Sequence, residues 1–120
     1  MEFDATRPIW LQVMNALEMD VVTGARKPGE KLPGGRDLAL ACGINPNTAA
    51  RVYQELEKTG LCETRRGMGT FVTGDGRTIA SAREALIAQT VKDFLWKMAQ
   101  FGASPEDAAR IILKEENSNA

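Results

Sequence analysis

GINPNTAARVYQELEKTG, residues 43–60, carries its own start and stop signals. A residue before proline avoids the helical region, so Asn45 is expected to be extended, as an N-cap is. Its side chain can accept from the amide of Asn47 or Thr48. Pro46 then takes the first helical position, where a missing N–H costs nothing. The helix is predicted to run to about Thr59 and to stop at Gly60. Ala49, Val52, Tyr53 and Leu56 recur at helical spacing and form its buried stripe. The opposite face carries Asn47, Ala50 or Arg51, Gln54 and Lys58.

Working outward, GRDLALACG (35–43) reads as a short helix burying Leu38, Ala39 and Cys42 or Ala41, closed by Gly43. KPGEKLP (27–33) is a turn broken at Pro28-Gly29 and followed by a short extended piece. PIWLQVMNALEMDVVTGA (8–25) is a helix with Trp10, Met14, Leu17 and Val21 on one stripe, entered at Pro8 and left at Gly24. After Gly60 the period changes. LCETRRGMGTFV (61–72) alternates about Gly67-Met68-Gly69, the pattern of a β-hairpin with a glycine-rich tip. Two short helices joined by a tight glycine turn form a helix-turn-helix. A helix before it and a hairpin after it make it winged. Residues 1–75 are assigned to this unit.

TGDGRT (73–78) is a polar joint, and residues 76–120 form a helical tail. A long helix is predicted from about Ile79 to Gln100. Ile87, Val91, Phe94, Met98 and Phe101 form one apolar stripe, widened by Leu86, Leu95 and Trp96. Gly102 ends it. Ser104-Pro105-Glu106-Asp107 is a strong start for a last helix: serine caps, proline takes the first position and acids meet the positive end. Ala108, Ile111 and Ile112 are its inner face, and the polar EENSNA end (115–120) is expected to fray. The fold class is therefore mostly α with one small β-hairpin: a winged helix-turn-helix followed by two C-terminal helices.

Composition narrows the function. With 43% hydrophobic and 26% charged residues, the 120-residue chain is expected to fold and stay soluble. No apolar run nears the roughly 18 residues of a membrane span, and the acidic start MEFDATRPIW is unlike a signal peptide, so a cytoplasmic protein is expected. There is no histidine, which removes the commonest general base and metal ligand. Cys42 and Cys62 sit singly among core-like residues and lack zinc spacing, as reduced buried thiols would. No phosphate-cradling loop is present. Neither catalytic residues, a metal site nor a cofactor is expected. The net charge of −1 is spread evenly over both halves, so any nucleic-acid surface must be a local cluster.

Such a cluster exists in the sequence. The second helix of a helix-turn-helix enters the major groove with its N-terminal residues. Asparagine can bond adenine bidentately, arginine guanine, and threonine offers a hydroxyl and a methyl. Asn45, Asn47, Thr48 and Arg51 lie in the first turn and a half. Arg65 and Arg66 stand just before the hairpin tip, and Gly67 permits close approach to a minor groove or a backbone. Each has a plainer reading. Asn45 can be only a cap, and arginines beside a tip can be only solvated. Winged helices also serve as protein-binding modules, which leaves an interaction module without DNA reading as the alternative.

PIWLQV, GARKPGEKLPGGRDLA, GINPNTAARVYQELEKTGL and ETRRGMGTFV, in this order over about residues 8–73, resemble the DNA-binding domain of the bacterial GntR family of transcription regulators. The INPNT form and the short helical tail are similar to its YtrA-like subfamily. The resemblance implies a sequence-specific DNA-binding regulator, a repressor by expectation, with two C-terminal dimerisation helices in place of a large effector domain. It also implies a DNA contact from Arg36 at the start of the second helix, beside those of Asn45, Asn47, Thr48, Arg51, Arg66 and Gly67. Departures are Gly34 where the family usually has serine, Gly35 inside a helix start, Ala50 where arginine is common, and Met68 at an often basic position.

The tail supports the same reading. Residues 79–116 are too few to hold a core alone. A second copy is the simplest cover, with Ile87, Val91, Phe94, Leu95, Met98, Phe101, Ile111 and Ile112 at the interface. A monomer whose tail folds back is the alternative. A homodimer presents two reading helices to two half-sites, so a pseudo-palindromic operator duplex is expected as partner. A small-molecule effector, of unknown identity, has room only at the dimer interface.

Overall fold

The computed structural model describes the backbone of residues 1–119 and side chains through residue 116. Five helices and one hairpin follow in order: α1 (Ile9–Val22), α2 (Gly35–Cys42), α3 (Pro46–Lys58), β1 (Cys62–Arg65), β2 (Gly69–Val72), α4 (Gly76–Gln100) and α5 (Pro105–Asn119). This is the expected winged helix-turn-helix followed by two helices. Two compact units are distinguished, Met1–Arg83 and Glu84 onward.

In the first unit α1, α2 and α3 close around one core. Val13, Leu17 and Val21 of α1 meet Val52 and Leu56 of α3, and Leu38 and Ala39 of α2 complete the cluster with Leu32, Leu61 and Val72. Each large side chain so buried contributes roughly 1.5–3 kcal/mol. Cys42 is half-buried against this core and Ala41 is exposed, which resolves the choice left open in α2. The α2–α3 turn needs its glycine. Gly43 is left-handed at φ +66°, and the amides of Gly43 and Ile44 both return to the Ala39 carbonyl.

The wing is broader than its hairpin. β1 and β2 pair antiparallel, Cys62 with Val72 and Arg65 with Gly69. The extended piece after the Pro28-Gly29 turn lies along the other edge of β2. Leu32 N donates to Thr70 O and Val72 N to Glu30 O, both at 2.8 Å, and Lys31 bridges Phe71. This long-range pairing joins the entry to α2 to the wing.

α4 starts three residues before the predicted Ile79. Asp75 is its cap: Oδ1 accepts from the Arg77 amide and Oδ2 from the Thr78 hydroxyl, each at 3.0 Å. Ile79 and Ala82 pack on the first unit's core, so that unit extends past the joint expected at 75/76. In the second unit α4 ends at Gln100, two residues before the left-handed Gly102, and α5 begins with the predicted cap. Ser104 Oγ accepts from Asp107 N at 3.0 Å, and Asp107 Oδ2 from Ser104 N at 2.9 Å. α5 is helical to Asn119, and Ala120 lies outside the described residues.

Candidate nucleic-acid interface

The start of α3 is built as its sequence dictates. Asn45 is extended, at φ −67° and ψ 141°, and its Oδ1 accepts from the Asn47 amide at 2.8 Å. The cap therefore occupies the Asn45 oxygen and leaves its NH2 group for other partners. The side chain of Asn47 is exposed and makes no hydrogen bond among the described residues. Thr48 is half-buried beside it. Arg51, one turn further on the same face, lays its guanidinium over the Trp10 ring of α1, 4.2 Å from the centroid. Beyond it, Lys58 is tied to Glu55 at 3.1 Å.

Arg36 joins this surface from α2. It borders a groove with Leu40, Gly43, Ile44 and Pro46, so its exposed guanidinium stands beside the first turn of α3. Otherwise the groove is apolar, with Leu40 78% exposed on its rim. The Tyr53 hydroxyl donates to the Pro33 carbonyl, which pins α3 to the chain just before α2. Burial pushes the Tyr53 phenol up to about 12, so it remains a donor across the whole working range of pH. Burial likewise pushes the Cys62 thiol up to about 12, and so Cys62 is a core residue rather than a nucleophile.

At the wing the two arginines differ. Arg65 Nη2 meets Glu63 Oε1 at 2.8 Å, and its guanidinium lies 4.3 Å over the Phe71 ring. Much of its charge is spent inside the hairpin. Arg66 is exposed and makes no ion pair among the described residues, and Gly67 turns the tip at φ +76°. Reading by residue type alone missed Lys31. Its alkyl chain crosses the wing at Gly69, where a Cβ would come within 2.9 Å of Lys31 Cε. Its exposed ammonium is thus delivered to the wing from a segment 35 residues before Arg66. Strand alternation puts Glu63 and Arg65 on one face and could have foretold their pairing. Nothing local marks Lys31.

The tail residues are placed as follows. Ile87, Val91, Phe94, Phe101, Ile111 and Ile112 are exposed, while Leu95 and Met98 are half-buried within the chain. Trp96, expected to widen the stripe, is 66% exposed, and Leu113, 60% exposed, extends the apolar surface beyond the predicted residues.

Comparison with known proteins agrees with this geometry. The model of the family "Bacterial regulatory proteins, gntR family" matches residues 10–72, from Trp10 to the end of the wing. The chain is 33% identical over 106 residues to the uncharacterized HTH-type transcriptional regulator YhcF of Bacillus subtilis, covering 88% of each chain. It is 34% identical over 92 residues to the HTH-type transcriptional repressor YtrA of the same organism, covering 76% of this chain and 71% of that one. A solved GntR family transcriptional regulator from Listeria monocytogenes superposes with a TM-score of 0.86 at 33% identity, over 93% of this chain and 98% of that one. The family model over more than half of the chain, with these relatives and this wing, places the chain in the GntR family, as a DNA-binding transcriptional regulator.

Proposed function

We propose that the protein is a cytoplasmic homodimeric repressor that reads a pseudo-palindromic operator. The observation that carries this reading is the convergence of open donors on one surface. Asn47 and Thr48 lead α3, Arg36 stands beside them, and Arg51 follows one turn later. Arg66 and Gly67 at the wing tip, with Lys31, supply cationic contacts to the backbone or minor groove. Arg65 contributes charge at the same place, partly offset by Glu63. The Asn45 amide group adds one donor beside its capping bond.

Dimerisation is supported by the tail. α4 has no buried residue, and Phe101 is 87% exposed. An apolar surface of this kind on a small protein marks an interface. A second copy covers it with Ile87, Val91, Phe94, Phe101, Ile111 and Ile112 facing their equivalents, while Leu95 and Met98 back them. Two α3 helices then meet half-sites about one helical turn apart. The space between the two tails is the place for a small-molecule effector. Repression is the reading in line with the repressor YtrA of Bacillus subtilis.

The exposed apolar groove at Leu40, Ile44 and Pro46 favours the second reading, a protein-interaction module. Selection from a random duplex library at about 0.15 M salt, where phosphate-only binding is suppressed, separates the two. An enriched inverted repeat is expected. Folded, dimeric protein that enriches no sequence would turn the assignment to the interaction module.

A further inference from the structure

We infer that Trp10 is a positioning residue for base reading, holding Arg51 in the orientation in which it meets the major groove; the inference rests on the DNA-reading assignment of α3. Trp10 stands in the first turn of α1, half-buried against the core, and α1 packs along α3. The Arg51 guanidinium lies 4.2 Å from the centroid of its ring. Stacking engages the face of the guanidinium. The five N–H donors lie in its plane and stay available at the edge. Arg51 makes no hydrogen bond or ion pair among the described residues, so that edge is unsatisfied in the free protein.

The other stacked arginine supplies the contrast. Arg65 lies 4.3 Å over Phe71, and its edge is closed by Glu63 at 2.8 Å. Arg65 is a finished intramolecular contact. Arg51 has the same stack with an open fork, on the exposed face of α3 and four residues beyond Asn47. An unrestrained arginine must give up much rotamer freedom to form a bidentate bond to guanine. The indole, itself fixed by the core, has already restricted it. Trp is the strongest aromatic partner for a guanidinium, so a weaker ring should hold Arg51 less well and an aliphatic side chain hardly at all.

The test takes the duplex that the wild-type protein selects from a random library, and a copy of it with single base pairs changed. Fluorescence anisotropy gives Kd for the wild type, Trp10→Leu, Trp10→Phe, Arg51→Ala and the Trp10→Leu/Arg51→Ala double variant. Trp10→Leu is expected to weaken binding of the selected duplex about tenfold, the scale of one long side chain's ordering. It should also erase preference at the same base pair as Arg51→Ala. Trp10→Phe should recover most of the loss. In the Arg51→Ala background, Trp10→Leu should add less than about twofold, because the two act as one unit.

Equal weakening on every duplex, or the same loss with and without Arg51, would overturn the inference and leave Trp10 as helix packing. Should Trp10→Leu not fold, the emission of Trp10 in Trp96→Phe protein decides. A change on Arg51→Ala and a second change on adding the selected duplex support the stack, and emission blind to both sinks it. Wild-type protein that selects no sequence removes the DNA-reading assignment and this inference together, whereas a selected sequence with additive variants removes only the inference.

Discussion

Glu57 Oε1 accepts a hydrogen bond from the Thr64 amide at 2.8 Å, joining the last turn of α3 to the outer edge of β1. The angle between helix and wing therefore has a side-chain tie as well as a packed core. Glu57→Ala should lower unfolding free energy by about 0.5–1.5 kcal/mol, the net worth of one such bond. Glu57→Gln keeps an acceptor and should recover most of it. Urea unfolding midpoints check this, and an unchanged midpoint for Glu57→Ala would show the tie to be idle.

Gly69 has two demands on it. Its φ is +120°, which L side chains rarely adopt, and a Cβ there would meet Lys31 Cε at 2.9 Å. Gly69→Ala should destabilise the fold by about 1–3 kcal/mol. Lys31→Ala in the same chain should return only the steric part, since the backbone strain remains. Full recovery in the double variant would mean that φ costs nothing.

The tail prediction concerns assembly. A stable dimer interface hides about 1,200–2,000 Å² in all. Val91, 50% exposed, lies between Ile87 and Phe94 on the exposed stripe of α4. In the proposed dimer Val91→Glu would bury a carboxylate against its own symmetry mate, so it should give monomers in sedimentation equilibrium, with the helical content of the first unit intact. Wild-type protein that sediments as a monomer at tens of micromolar would sink the proposed dimer.

Acid should loosen the caps of α4 and α5. A hydrogen bond from the Thr78 hydroxyl, then one from the Arg77 amide, holds the Asp75 carboxyl below 3.8. The Ser104 amide, then the Arg110 guanidinium, holds Asp107 below 3.8. A lowered folded-state value means that the charged form favours the fold. The stabilisation is complete above the unfolded value of 3.8 and is lost as pH falls through the folded values. Asp75→Asn/Asp107→Asn removes both titrations, so its ellipticity at 222 nm should fall less steeply below pH 3.8 than that of the wild type. Superimposable acid titrations would refute the assignment.

What could be read in advance was local chemistry. Asn45-Pro46 fixes the start of α3 within two residues, and Ser104-Pro105 fixes α5, because a cap is a contact between near neighbours. Asp75 shows the limit: a polar, glycine-flanked acid reads equally as a joint or as a cap, and α4 began three residues early. The misses are long-range. Lys31 reaches the wing only because its segment pairs with β2. Trp10 and Arg51 are 41 positions apart and meet because α1 packs on α3. Hydrophobic period predicts that helices will pack but does not say which surface side chains the packing brings together.

Gly34 and Gly35 open α2 with no side-chain cap, and neither has any atom within 4 Å of where a Cβ would stand. No crowding requires glycine at either place, and neither has a positive φ. The turn carrying Arg36 should therefore exchange its amide hydrogens for deuterium sooner than the rest of α2. Gly34→Ser fits the open space, and should slow that exchange while adding a few tenths of a kcal/mol. A stiffer turn beneath Arg36 should in turn lower the conformational entropy lost when that guanidinium is bound by a partner.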